Sequence, residues 1–204
     1  FDTKRTTGLI AINLKDEDEL IAIKQSTGSN NIIIVTKKGK CISFSEKDVR
    51  PMGRIASGVR AIKLDKDDEV VSMELVEPKQ QLMVVTENGF GKRTPVEEYK
   101  IQVRGGKGLL TYDKAKFSKT GALIGAMVVD ENDEILMINS DGIIIRIRAS
   151  EVSILGRATQ GVKIMKVDEG SKIVAIAKAI RDDEDEAEES SASTSNETEE
   201  QISL

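Results

Sequence analysis

The chain has no histidine, no tryptophan and a single cysteine, Cys41. Without histidine there is no imidazole general base, no Ser–His–Asp triad and no His-ligated metal. A lone cysteine excludes an internal disulfide framework and any Cys-x-x-Cys metal site, and it fits a reducing, cytoplasmic setting. Aromatic residues make up 3% of the chain, too few for a single-strand binder built on base stacking. No apolar run approaches the roughly 18 residues needed to span a bilayer. The chain opens on Phe1 with no basic-then-apolar leader, so it is expected to be a piece of a longer or processed protein.

The charge that is present is unevenly placed. The 204 residues hold 30 Lys and Arg against 35 Asp and Glu, a net of −5. Residues 181–204 contain one basic residue and ten acidic ones, a net of −9. Residues 1–180 therefore carry 29 basic and 25 acidic residues, a net of +4. A mildly basic body joined to an acidic tail fits a protein that meets a polyanion and carries its own competitor for that surface. The tail is rich in Ser and Thr beside its acidic residues and nearly free of apolar residues until Ile202. Its composition predicts a disordered segment over 181–204, with a short docked helix as the alternative.

The body repeats. Gly39, Gly89 and Gly142 each follow an apolar run and a polar pair, and Gly58, Gly108 and Gly161 each lie nineteen residues further on. Four residues before each of the second set stands an arginine: Arg54, Arg104 and Arg157. The offset is 50 residues, then 53, with the three extra residues assigned to 112–121. Gly8 and Lys4 fit the frame of Gly58 and Arg54. The body thus reads as three full repeats preceded by the closing half of a fourth.

Each repeat predicts four short strands and no long helix. Runs such as Leu82-Met83-Val84-Val85-Thr86 predict a strand buried on both faces. The turns at Lys38-Gly39, Asn88-Gly89 and Asp141-Gly142 predict tight hairpins with both turn residues at positive φ. The return strands alternate, as in Ile145-Arg146-Ile147-Arg148. A third strand follows each second glycine, and a fourth is carried by Val70-Val71-Ser72-Met73 and its equivalents. A four-stranded repeat near 50 residues is a blade, and blades stack around an axis. The expected class is all-β, with a propeller-like body over 1–180.

Three strings resemble the carboxy-terminal region of the bacterial DNA gyrase A family. They are Asp48-Val49-Arg50-Pro51-Met52-Gly53-Arg54 with Gly58-Val59-Arg60, then Asn88-Gly89-Phe90-Gly91-Lys92-Arg93-Thr94-Pro95 with Glu98-Tyr99, then Gly156-Arg157-Ala158-Thr159-Gln160-Gly161-Val162. The resemblance spans the body in order, and the acidic tail also suits that family. It implies a β-pinwheel, a disc of four-stranded blades whose strand order differs from a true propeller. The rim of such a disc bends and wraps duplex DNA, so that ATP-driven turnover introduces negative supercoils. The remainder of gyrase A, together with gyrase B, are the implied protein partners. ATP and magnesium belong to the whole enzyme, and no cofactor or metal is expected in this piece. The breakage tyrosine and the ATP site are expected outside it, so no catalytic residue is assigned and Tyr99 and Tyr112 are not the nucleophile. The family's wrapping signature is the box Gln-Arg-Arg-Gly-Gly-Lys-Gly on the first blade. Gln102-Val103-Arg104-Gly105-Gly106-Lys107-Gly108 matches it at six positions and departs at Val103, on what reads as a late blade. The functional box is therefore expected upstream.

Duplex DNA is held mainly by cations and backbone N–H groups at phosphates. The expected DNA contacts are Arg50, Arg54, Lys92, Arg93, Arg104, Lys107, Arg146, Arg148 and Arg157. The alternative for each is an ordinary solvated charge. Gly105-Gly106-Lys107-Gly108 lacks the spacing and the Lys-Ser/Thr pair of a nucleotide loop. The acidic clusters 16–19, 65–69 and 130–134 read as solvated turns at one recurring place rather than as calcium loops. Cys41 is expected to pack as a small hydrophobe. Two other readings stay open: the equivalent domain of topoisomerase IV, and a propeller-like scaffold for protein partners.

Overall fold

The structure is a computed structural model that describes Lys4, residues 6–54 and residues 56–179. The acidic tail lies outside the described residues. Among the described residues, eleven strands account for most of the regular structure. They are β1 (Asn31–Thr36), β2 (Lys40–Ser45), β3 (Val70–Val76), β4 (Gln81–Thr86), β5 (Phe90–Pro95), β6 (Leu109–Leu110), β7 (Leu123–Val129), β8 (Glu134–Asn139), β9 (Ile144–Arg148), β10 (Val162–Lys163) and β11 (Ile173–Lys178).

Strands β1 and β2 form an antiparallel hairpin, with Ile33 opposite Ser43 and Val35 opposite Cys41. The hairpins β4–β5 and β8–β9 repeat it. The turns differ from expectation. Three residues separate the last paired residues of each hairpin, the third being closed just ahead of β9 by the Asn139 N–H on the Ile143 carbonyl at 3.0 Å, and the glycine N–H closes onto the last strand residue: Gly39 to Thr36 at 3.0 Å, Gly89 to Thr86 at 3.1 Å, Gly142 to Asn139 at 3.1 Å. The glycine alone is at positive φ; Lys38, Asn88 and Asp141 are not. This is the three-residue hairpin, a turn followed by a left-handed bulge residue. The Thr or Asn at the strand end also accepts the next N–H, as Thr36 Oγ1 does from Lys40 at 3.2 Å and Thr86 Oγ1 from Phe90 at 3.2 Å.

Each sheet orders its strands from the inside outward: β3-β1-β2-β6, β7-β4-β5-β10 and β11-β8-β9. The third strand of a repeat therefore does not join its own repeat's sheet. Strand β6, which follows Gly108 in the second repeat, pairs with Lys40 and Cys41 of the first blade. Strand β10, which follows Gly161 in the third repeat, pairs with Phe90 and Gly91 of the second. Two blades have four strands. The third has three among the described residues. The repeated glycine is needed for this exchange. Gly161 sits at φ +76°, and a Cβ there would fall 2.5 Å from the Gly91 carbonyl oxygen. Gly108, at φ +72°, would meet the Cys41 carbonyl in the same way.

Continuous apolar strands follow from the layering. Leu82 and Val84 of β4 face the first blade and pack with Ile33, Val35, Leu123 and Tyr112. Met83 and Val85 point the other way, to Ile135, Met137 and Ile173 of the third blade. All four β4 side chains are fully buried. Cys41 lies in the first of these cores, and burial pushes its thiol up to about 12. The inner strands β3, β7 and β11, with residues 21–24, line a central cavity of about 720 Å³.

The three-residue insertion does fall within 112–121, as a 3-10 turn followed by α1 (Phe117–Thr120). Tyr112 and Phe117 stack there, with ring centroids 5.8 Å apart. The 130–134 cluster does not repeat the 65–69 turn. It joins β7 to β8, linking one blade to the next, whereas residues 65–69 lead into β3.

Candidate nucleic-acid interface

The outermost edge of a blade is where a passing rod would touch first. In the first blade it is formed by residues 101–110 of the next repeat. Ile101 bridges Ser43 in parallel, the Gln102 N–H donates to the Ser43 carbonyl at 2.8 Å, and β6 returns antiparallel. The turn between them holds Arg104, Gly105, Gly106 and Lys107, so the box-like string lies along this edge. The second blade repeats the arrangement. Ile154 bridges Arg93 in parallel, Leu155 N–H donates to the Arg93 carbonyl at 2.8 Å, and Arg157 sits in the turn before β10.

The repeated arginines stand on these edge loops but are not free spikes. Arg104 Nε donates to the Asp48 carbonyl at 3.1 Å and Nη1 to the Arg60 carbonyl at 2.6 Å. Arg157 Nη1 reaches the Leu110 carbonyl at 3.4 Å, and its backbone N–H donates to Glu98 at 3.2 Å. Arg60 and Leu110 are equivalent, each two residues past a repeated glycine. Each arginine thus ties its loop to the repeat before it. A guanidinium has five N–H donors, so this leaves groups for a phosphate.

Arg50, Arg54 and Lys107 are exposed. Arg146 is exposed and paired with Glu134, Nε to carboxylate at 2.6 Å. Arg148 is exposed on the same strand, β9, and its backbone N–H donates to Glu151 at 3.0 Å. Gly105 and Gly106 tie the box-like loop to the first repeat, through Gly105 N–H to the Ala61 carbonyl at 2.7 Å and Lys63 N–H to the Gly106 carbonyl at 2.8 Å. Gln102 is half-buried, and its Nε2 is buried without a hydrogen-bond partner.

Two expected contacts are corrected. Lys92 is 0% exposed and Arg93 is 4% exposed, so neither faces a ligand outside the blade. Lys92 Nζ donates to the carbonyls of Gly156 (2.6 Å) and Arg157 and to Thr159 Oγ1 (3.1 Å). Burial pushes its ammonium down to about 8, against the opposing pull of the Glu98 charge. Arg93 Nε donates to the Val152 carbonyl at 2.8 Å and Nη1 to Gln81 at 2.5 Å. The repeat contains the signal: Lys92 holds the strand position of Ile42 and Ile145, which face the core.

Two further cations emerge only from the structure. Lys119, from the insertion, and Lys163, on β10, lie over one aromatic ring at 5.4 Å and 5.1 Å from the Phe90 centroid. Both are exposed, Lys163 on the outer-edge strand β10 and Lys119 beside the β4–β5 turn, where its carbonyl accepts from Asn88 Nδ2 at 2.9 Å. The acidic turn 65–69 is met by hairpin lysines, Lys40 to Asp65 at 2.6 Å and Lys37 to Glu69 at 2.7 Å. The Lys40 hydrogen bond holds the Asp65 carboxyl below its ordinary range, and Glu69 holds Lys37 above its own.

Stacked antiparallel blades, strands exchanged between successive repeats and arginine-bearing loops at the outer edges define a propeller-like repeat protein of the pinwheel type. The family model described as "DNA gyrase C-terminal domain, beta-propeller" matches in four copies, over residues 1–26, 30–77, 80–130 and 133–179. The chain belongs to the DNA gyrase C-terminal domain family. It is 42% identical over 194 residues to the DNA gyrase A protein of Mycolicibacterium smegmatis (strain ATCC 700084 / mc(2)155), covering 93% of this chain and 22% of that protein. It is 40% identical over 200 residues to the DNA gyrase A protein of Klebsiella oxytoca, covering 97% and 23%. The chain thus spans less than a quarter of these relatives. A solved DNA gyrase A C-terminal domain superposes with a TM-score of 0.78 at 31% identity, over 85% of this chain and 59% of that one. The C-terminal domain of DNA topoisomerase IV shares the fold, with a TM-score of 0.78 at 24% identity over 83% and 52%. No described helix is long and apolar enough to cross a membrane.

Proposed function

We propose that this chain is a non-catalytic module that bends and wraps duplex DNA over the outer edges of its blades, and that in the whole gyrase this wrap directs ATP-dependent negative supercoiling. The observation that carries the reading is the recurrence of one arginine-bearing loop along the outer edge of consecutive blades. A wrapping surface needs little base readout; it needs cations and backbone N–H groups at regular spacing on a stiff curved support. The edge loops supply the spacing, and the shared cores between blades supply the stiffness. Arg54, Arg104, Lys107 and Arg157 are the phosphate contacts in this reading, with Arg50, Lys119 and Lys163 beside them. ATP, magnesium, gyrase B and the remainder of gyrase A belong to the whole enzyme.

The test is duplex affinity across salt. Each phosphate contact removed lowers the slope of log affinity against log salt by about 0.9. Replacing Arg54, Arg104 and Arg157 together by alanine is expected to lower it by two to three such steps. An unchanged slope would sink the assignment and leave a protein-binding scaffold as the better reading.

A further inference from the structure

We propose that Lys92 is a positioning residue that sets the Arg157 loop for phosphate contact without touching DNA itself; the proposal rests on the DNA-binding reading above. Lys92 reaches the loop from behind. Its ammonium has three N–H donors, and the loop offers three acceptors: the carbonyls of Gly156 and Arg157 and the hydroxyl of Thr159. The cation is fully buried, so this contact excludes a simultaneous one with solvent or DNA.

The neighbours of Lys92 grip the same segment. Arg93 donates to the carbonyls of Val152 and, at 3.2 Å, Ser150. Thr94 Oγ1 donates to the Leu155 carbonyl at 2.7 Å, and Tyr112 donates its hydroxyl to the Gln160 carbonyl. The first blade holds its own edge loop differently, with Ile42 and Phe44 buried at the positions of Lys92 and Thr94. Among the three described blades, the second alone has a cation at the position of Lys92.

That choice orients the loop. In a trans peptide the carbonyl and the following N–H point in opposite directions. With the Gly156 carbonyl turned in to Lys92, the Arg157 N–H is turned away from it, where it meets Glu98 at 3.2 Å. With the Arg157 carbonyl also turned in, the Ala158 N–H is directed outward. The loop then presents an N–H and an arginine on its outer side, backed by a fixed positive charge. An arrangement of this kind suits an anion.

The experiment measures binding of a fluorescein-labelled duplex of mixed sequence, across a salt series, by the full chain and by Lys92→Met, Arg157→Ala and the double variant. Arg157→Ala is expected to lower the log–log slope by about 0.9. Lys92→Met is expected to lower it by the same amount, and the double variant by no more than either alone. Lys92→Met should also speed amide exchange at 156–161 more than elsewhere. Thr159→Val, which spares the cation but removes both an acceptor of Lys92 and the Thr159 hydroxyl's own bond to the Gly156 carbonyl at 2.9 Å, should weaken binding in the same direction, and unchanged binding there overturns the role if Lys92→Met fails to fold. An unchanged slope for Lys92→Met, with Arg157→Ala lowered, overturns the positioning role. A double variant that falls by twice the single step overturns it too, because the two residues then act independently. A full chain that binds no duplex overturns the DNA reading itself.

Discussion

Lys92 makes the stability of this fold rise with pH. Its ammonium titrates near 8 in the folded chain against an ordinary 10.5. Between these values the unfolded chain binds more protons than the folded one, so stability increases as pH rises through that window. Linkage puts the gain from pH 7 to pH 9 at about 1–1.5 kcal/mol. Cys41 works the other way. Burial raises its thiol from 9.0 to about 12, so the folded chain keeps a proton that the unfolded chain releases. Between pH 7 and pH 9 that loss is about 0.5 kcal/mol. The expected net change is a gain of about 1 kcal/mol. Urea unfolding at pH 7, 8 and 9, followed by far-ultraviolet circular dichroism, reads it directly. In Lys92→Met the gain is lost while the buried Cys41 thiol and Tyr99 hydroxyl, both held protonated by burial, remain, and stability should fall slightly over the same range. Taking the difference between the two chains removes the groups they share that do not interact with Lys92; Cys41, whose thiol the Lys92 charge pulls down, rises further in the variant and adds to the difference in the same direction. Parallel pH profiles for the two chains would refute the assignment of a buried, charged Lys92.

Three further outcomes are expected. Deleting 181–204 changes the net charge from −5 to +4, so it should strengthen duplex binding at low salt and lose its effect as salt rises; equal low-salt affinities would refute a competing tail. Gly161→Ala places a Cβ against the Gly91 backbone at positive φ, and should cost more than about 1 kcal/mol in chemical denaturation, while a neutral result would contradict the close approach of β10 to β5. A plasmid relaxed by a nicking-closing topoisomerase in the presence of the chain should retain a small linking-number shift per bound molecule, well below that of the same domain extended upstream. Equal shifts would mean that these blades suffice for the wrap.

The all-β class and the repeat are legible because glycine and apolar runs recur at fixed spacing, and short-range patterns report on hairpins and buried strands. The strand exchange is not readable from the residues. Leu109-Leu110 carries the same local pattern whether it pairs within its repeat or with the preceding blade, and only the geometry past Gly108 decides. The sequence places the hairpin turns correctly but mistypes them, because Asn88-Gly89 suits both two-residue and three-residue loops. At the candidate interface, repetition finds Arg104 and Arg157, but their ties to Arg60 and Leu110 depend on contacts about fifty residues apart. Lys92 and Arg93 read as surface charges because composition weighs a Lys-Arg pair as polar. Strand parity, with Ile42 and Ile145 in register with Lys92, contains the opposite answer for Lys92, whereas Arg93 is in register with the exposed Arg146 and its burial depends on the edge segment 150–155 laid over it. The Lys119 and Lys163 pair around Phe90 brings together residues from an insertion, a short strand and a hairpin, and no local pattern links them.

The exchanged strand puts the unit of inheritance out of phase with the unit of folding. A duplicated repeat carries the hairpin of its own blade and the lid of its predecessor's. Copying one such unit into the middle of the array therefore leaves every sheet with its full complement of strands, because the newcomer seals the blade before it and is sealed by the one after. Arrays of this kind can lengthen or shorten by whole repeats without opening an interior sheet. The same phase difference directs mechanical load. Tension from a rod bent around the rim falls on an edge loop that one repeat carries and that is paired at both ends to the blade before it, so it pulls along the seam between neighbours instead of peeling one blade away.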